Sequence, residues 1–114
     1  MQWTVEYYRN SLGEEPAADF IEELQPGPRA KVLRTIKLLS QYGVLLSEPY
    51  TKQLRGKIRE LRIRDSIGAV RILYFAYVDK RIVLLHGFIK KTDKTPAREI
   101  AVAEKRMQDM IERS

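Results

Sequence analysis

Between Ile58 and Ile89 the chain offers three strand-length runs joined by turns so short that only an antiparallel meander accommodates them. The first, Ile58–Arg64, alternates with a period of two. Leu61 and Ile63 fall on one face, and Glu60, Arg62 and Arg64 on the other. Ser66-Ile67-Gly68 turns the chain into a long second run, Ala69 to Val78. Asp79-Lys80 is a two-residue turn, and Arg81 to Ile89 follows as an apolar strand of central character.

Upstream, Trp3 to Tyr8 is rich in β-branched and aromatic residues and reads as a further strand, broken by Ser11-Leu12-Gly13. A helix starts near Pro16, with Glu14 and Glu15 at its positive end and Ala17, Phe20, Ile21 and Leu24 along one stripe. Gln25-Pro26-Gly27 stops it. Pro28 opens a second helix with Val32, Leu33, Ile36 and Leu39 on one face, and Gly43 suits the left-handed position past its end. Ser47 to Gly56 reads as a loop. After Lys90–Thr95, Pro96 opens a last helix carrying Ile100, Ala103, Met107 and Met110. The order β-α-α-β-β-β-α predicts an α+β fold: a small, mostly antiparallel sheet packed against a two-helix hairpin, as one domain over residues 1–114.

Charge is concentrated on that sheet. Tyr50 to Lys94 holds twelve Lys and Arg against four Asp and Glu, a local charge of +8, whereas the rest of the chain is near neutral within a total of +6. Such a cationic sheet calls for an anionic partner, a polyphosphate first of all. Nothing suggests a membrane span or a signal peptide, and the absence of cysteine excludes disulfides and thiolate metal sites. With a single histidine, no metal centre is expected either. The expectation is a cytoplasmic protein with no cofactor and no membrane partner.

Arg71 is the most informative position, because it interrupts a strand otherwise made of Val70, Ile72, Leu73, Tyr74 and Phe75. Burying it requires an ion pair, with Glu60 or Asp65, or an opening onto a solvated concavity where its guanidinium can grip phosphate. The two are compatible. Arg62 and Arg64 share a face with Glu60; Lys57 and Arg59 stand where the chain enters the sheet, and Lys90, Lys91 and Lys94 where it leaves. His86, between Leu85 and Gly87, suits a packed core residue, and Gly87 a bulge or close backbone approach. A Ser-His-Asp grouping, a Gly-rich phosphate loop and a paired acidic motif are all missing. Metal-free RNA cleavage tolerates that poverty, since the ribose 2′-hydroxyl is itself the nucleophile.

The ordered set Lys52-Gln53-Leu54-Arg55-Gly56, Ile58-Arg59-Glu60-Leu61-Arg62, Val70-Arg71-Ile72-Leu73-Tyr74-Phe75, Leu84-Leu85-His86-Gly87-Phe88-Ile89-Lys90-Lys91-Thr92, Lys94-Thr95-Pro96 and Glu99-Ile100-Ala101 resembles the RelE/ParE superfamily of bacterial toxins, in its HigB-like, phage-related branch. The resemblance implies a RelE-like fold and a type II toxin that cleaves messenger RNA on the ribosome and so inhibits translation. It implies partners too: a cognate helix-turn-helix antitoxin, the ribosome and mRNA. Among site residues it implies Arg71 on the scissile phosphate, assisted by Lys91, with Lys57, Arg59 and Arg62 completing a basic cleft. Lys52, Arg55, Arg64, Lys90 and Lys94 extend the RNA-binding surface, and His86 and Glu60 are further candidates. RelE uses a C-terminal tyrosine, whereas here no tyrosine follows Tyr77. The same resemblance admits a ParE-like gyrase poison without nuclease activity, or an inactive relic that only binds antitoxin.

Overall fold

The meander is one strand longer than its apolar pattern suggests. In the computed structural model, which describes residues 2–114, the elements run β1 (Thr4–Tyr7), α1 (Pro16–Glu22), α2 (Pro26–Tyr42), β2 (Thr51–Arg55), β3 (Ile58–Asp65), β4 (Gly68–Tyr77), β5 (Arg81–Lys90) and α3 (Ala97–Arg113). They form one five-stranded sheet in the order β1-β5-β4-β3-β2, parallel only between β1 and β5. The α+β class holds, with β2 added to the expected order. The segment Thr51–Arg55 is a strand rather than a loop. Its apolar signal is weak because an edge strand needs a partner on one side only, and a bulge between Gln53 and Arg55 breaks its alternation.

Helix α2 starts at Pro26 rather than Pro28. Pro26, Gly27 and Pro28 all sit in the first turn, where backbone N–H groups have no intrahelical partner, so a missing donor costs little. The turn between β4 and β5 is one residue longer than the expected two: Val78, Asp79 and Lys80 separate the paired Tyr77 and Arg81, and Asp79 (φ 59°) and Lys80 (φ 56°) are both left-handed, which follows the twist of a tight hairpin.

The sheet buries both faces, unequally. The hairpin α1–α2 covers one, where Ala17, Ile21, Val32 and Leu39 meet Leu61, Ile63, Val70, Ile72, Ile82 and Leu84. Full burial of each large aliphatic side chain contributes about 1.5–3 kcal/mol. Helix α3 covers part of the other, where Ala103, with Met107 and Met110 beside it, packs on Ile58, Leu73, Phe75, Val83 and Leu85. It is tied down by the Tyr8 hydroxyl on Asp109 Oδ2 (2.6 Å) and by Arg55 on Glu104 (3.1 Å). Beyond α3 the sheet lies open at the end that carries Arg62, Arg64, Arg71 and Lys90.

Candidate nucleic-acid interface

Alternation along β3 sends Glu60, Arg62 and Arg64 to the α3 side of the sheet, opposite Leu61 and Ile63. Register then sets Arg71 of β4 directly across from Arg62, with Phe88 of β5 on its other flank and Lys90 opposite Ala69. Two arginines facing each other across a ladder repel. The offsetting group is Glu60, only 1% exposed. Its Oε1 accepts the Thr95 hydroxyl at 2.6 Å and lies 3.5 Å from Arg71 Nε; its Oε2 lies 3.6 Å from Arg62 Nε.

Arg71 therefore has the buried carboxylate partner that its position demands. That partner is Glu60, reached diagonally; Asp65 faces the other way and pairs with Lys31 of α2 at 3.1 Å. The pairing leaves much of the guanidinium unspent. Nη1 donates to the Val70 carbonyl (3.1 Å), while the buried Nε makes no hydrogen bond, because Glu60 stands at ion-pair rather than hydrogen-bond distance. Burial pushes the Arg71 pKa down. Glu60 pulls it back up, and the Arg62 and Arg64 charges add to the downward push. An arginine nonetheless stays cationic at such a site.

Two cavities that share Lys90 and Asp93 in their walls open over this floor. One, of about 330 Å³, is lined by Arg62, Arg64, Arg71, Lys90 and Lys91; the other, of about 250 Å³, by Lys52, Glu60, Lys90, Lys94 and Thr95. Lys90 lines both. Partial burial holds its ammonium below the ordinary lysine range; Glu60 opposes that shift, and Arg71, Arg62 and Lys52 reinforce it.

The cleft thus gathers Lys52, Glu60, Arg62, Arg64, Arg71, Lys90, Lys91 and Lys94, but four of the sequence candidates lie elsewhere. Arg59 shares the parity of Leu61 and projects to the α2 side, where its Nη2 donates to Thr51 Oγ1 at 3.1 Å. Lys57 lies in the exposed β2–β3 turn, five residues from Arg62, roughly 16 Å along an extended strand. Arg55 is engaged with Glu104. His86 is tucked under α3: Arg106 Nη1 donates to the Leu85 carbonyl (2.8 Å) and toward His86 Nδ1 (3.2 Å), so the proton sits on Nε2 and is donated to Glu99 (2.7 Å). Burial lowers its pKa, Glu99 opposes and Arg106 assists, which keeps the ring neutral at neutral pH. Of the two devices expected of Gly87, the structure shows the close approach: it pairs in register with Ile72 and leaves room for the Phe20 ring, whereas the β4–β5 bulge falls at Leu85, two residues earlier.

Thr95 is the cleft residue that sequence reasoning missed. No periodicity tells that a hydroxyl in the loop before Pro96 folds back onto a strand carboxylate. Alanine scanning tests this sorting. Arg59→Ala and Lys57→Ala should leave any cleavage activity within about twofold, while Arg62→Ala and Lys91→Ala should each cost about tenfold or more. Full activity in both of the latter would remove the cleft from consideration.

An α+β fold with a cationic cleft on its sheet is the class these features define. Residues 19–108 match the family described as phage derived protein Gp49-like (DUF891). The chain belongs to that family, one of RelE/HigB-type toxins. The E. coli toxin RelE, solved in the free state as a double arginine-to-alanine mutant, resembles it with a TM-score of 0.64 over 94% of this chain and 99% of that one, at 14% identity; the likeness is one of fold. No curated protein matches the chain. Among the described residues, no helix is long and apolar enough to cross a membrane.

Proposed function

We propose that this protein is the toxin of a type II toxin–antitoxin pair and a ribosome-dependent messenger RNA endonuclease. The observation that carries the reading is the cluster of Arg62, Arg71 and Lys90 around the buried carboxylate of Glu60, with Lys91 on the rim. A gyrase-binding surface has no need of cations converging on one point in a sheet. A phosphodiester gaining negative charge in its transition state does.

The chemistry follows from the groups at hand. The 2′-hydroxyl of the ribose gives up its proton to the Thr95–Glu60 pair, the threonine oxygen accepting it while its own proton passes to the carboxylate. The 2′-oxygen attacks phosphorus and forms a 2′,3′-cyclic phosphate. Arg62 and Lys91, at the mouth, hold the non-bridging oxygens, and Arg71 beneath adds charge from a poorly solvated position, where it acts more strongly than in water. Lys90, made a better acid by its surroundings, protonates the departing 5′-oxygen. No step draws on a cofactor or a metal. Base recognition on the ribosome, the antitoxin's helix-turn-helix character and the cytoplasm as site of action complete the proposal through family likeness alone.

Controlled expression in bacteria followed by primer extension tests it. Cleavage within translated codons, lost in Arg71→Ala, is the expected result; growth arrest with intact transcripts and damaged DNA would overturn it in favour of gyrase poisoning. The pH dependence is a second check. Because Lys90 must be protonated and its pKa is lowered, activity should fall as pH rises through a value below the ordinary lysine pKa of about 10.4. In Lys90→Arg that alkaline limb should vanish, as read from single-turnover rates on programmed ribosomes.

A further inference from the structure

Outside the cleft, the strongest unassigned feature is a groove between α2 and the free edge of β3. Strand β2 pairs with β3 only as far as Leu61, and the Arg62 N–H is taken by the Tyr50 carbonyl (2.8 Å), so Ile63 to Asp65 have no neighbouring strand on that side. The groove encloses about 680 Å³ and is lined by Lys31, Arg34, Lys37, Tyr50, Arg62 and Arg64 among others, with no carboxylate in its wall. Lys31 is held by Asp65 just outside. Arg34, Lys37 and Arg64 have no carboxylate partner among the described residues. Tyr50 is 44% exposed. A smaller cavity of about 290 Å³ shares Tyr50, Arg62 and Arg64 with the groove, and Arg62, Arg64 and Arg71 with the cleft.

We infer that this groove is a second RNA-binding subsite, which carries the same strand out of the cleft, over the Tyr50 ring and along α2. The inference rests on the RNA reading above. Lys31, Arg34, Leu38 and Gln41 recur at helical spacing, so one stripe of α2 faces the β3 edge over ten residues, roughly 15 Å. That is the length of about four stacked nucleotides. Unpaired cations along a channel, with an exposed aromatic at its bend, are what a single strand uses for backbone neutralisation and base stacking. An acidic peptide would meet the same charges, but it would have no use for the continuity with a phosphate-gathering cleft.

The test measures binding without cleavage. Oligonucleotides with 2′-O-methyl groups lack the nucleophile, and two lengths, of about four and about twelve nucleotides, are titrated by fluorescence anisotropy across a salt series. Wild type should bind the longer strand at least tenfold more tightly. Arg34→Gln/Lys37→Gln, two exposed positions whose folding circular dichroism checks, should erase most of that gain. It should also lower the slope of log K against log salt by about 1.4, since each phosphate contact on a single strand accounts for about 0.7. Tyr50→Ala should weaken the longer strand alone. A matched control, Arg9→Gln/Lys105→Gln, removes the same charge near the C-terminal part of α3 and should change neither length.

Equal losses in the control and the α2 variant would overturn the inference, as would equal affinity of wild type for both lengths. If wild type bound neither strand, the groove would fall, while the ribosome-dependent reading would still be decided by primer extension in cells. Tight binding of the short strand with no gain from length would sink the groove alone.

Discussion

The double variant Glu60→Leu/Arg71→Leu should fold about as stably as wild type and cleave no RNA, although either single change should be severely destabilising. Both side chains are nearly inaccessible, 1% and 3% exposed, at the centre of the sheet. Removing one leaves the other as a buried, uncompensated charge, which costs about 3–5 kcal/mol. Removing both deletes the desolvation penalty along with the attraction, and leucine is compatible with the apolar neighbours Leu73 and Phe88. Thermal denaturation of the four-member cycle should give a large coupling energy. Cleavage should drop by about 10²–10³ or more in all three variants. A stable double variant that still cleaves would show that the pair is structural only; a double variant as unstable as the singles would show that the ion pair is not what makes each deletion costly.

That contrast explains how far the site was legible before the fold was known. The need for a partner to Arg71 follows from one charge in an apolar run. Its partner does not follow, because the Arg71–Glu60 pairing is diagonal and depends on the length of the Ser66–Gly68 turn. Asp65, the rival candidate, has the parity of Leu61 and Ile63, so counting by two already turns it toward the helices, where Lys31 meets it. The same count, applied one residue earlier, sends Arg59 to the α2 side. The cations of the α2 groove were equally visible as Lys31, Arg34 and Lys37, but a charged stripe on a helix usually means only a solvated face. Their significance appears once β2 proves short enough to leave the β3 edge bare.

The second large effect lies far from the cleft, at Gly43, where alanine should lower the melting temperature by roughly 10 °C or more. Gly43 ends α2 with φ 54° and ψ −127°, a combination that a residue bearing a Cβ adopts only at a cost of about 1–3 kcal/mol. Its missing side chain also leaves room for the Trp3 indole, which a Cβ there would overlap. Overpacking of this kind adds about 1–3 kcal/mol. At roughly 4 °C per kcal/mol for a domain of this size, the sum reaches the stated shift. The two causes separate in a Trp3→Ala background. If the indole clash contributes, Gly43→Ala should cost measurably less there than in wild type; an equal cost in both would assign the whole effect to the backbone angle. Trp3 also gives its backbone N–H to the Ser40 carbonyl (2.7 Å), so this contact ties β1 to the end of α2 and helps fix that helix against β3. Catalysis at temperatures well below the transition should survive Gly43→Ala, because the cleft lies on the opposite face of the sheet. Binding of long RNA should weaken before cleavage does, since the α2 wall of the groove is the part that this glycine anchors.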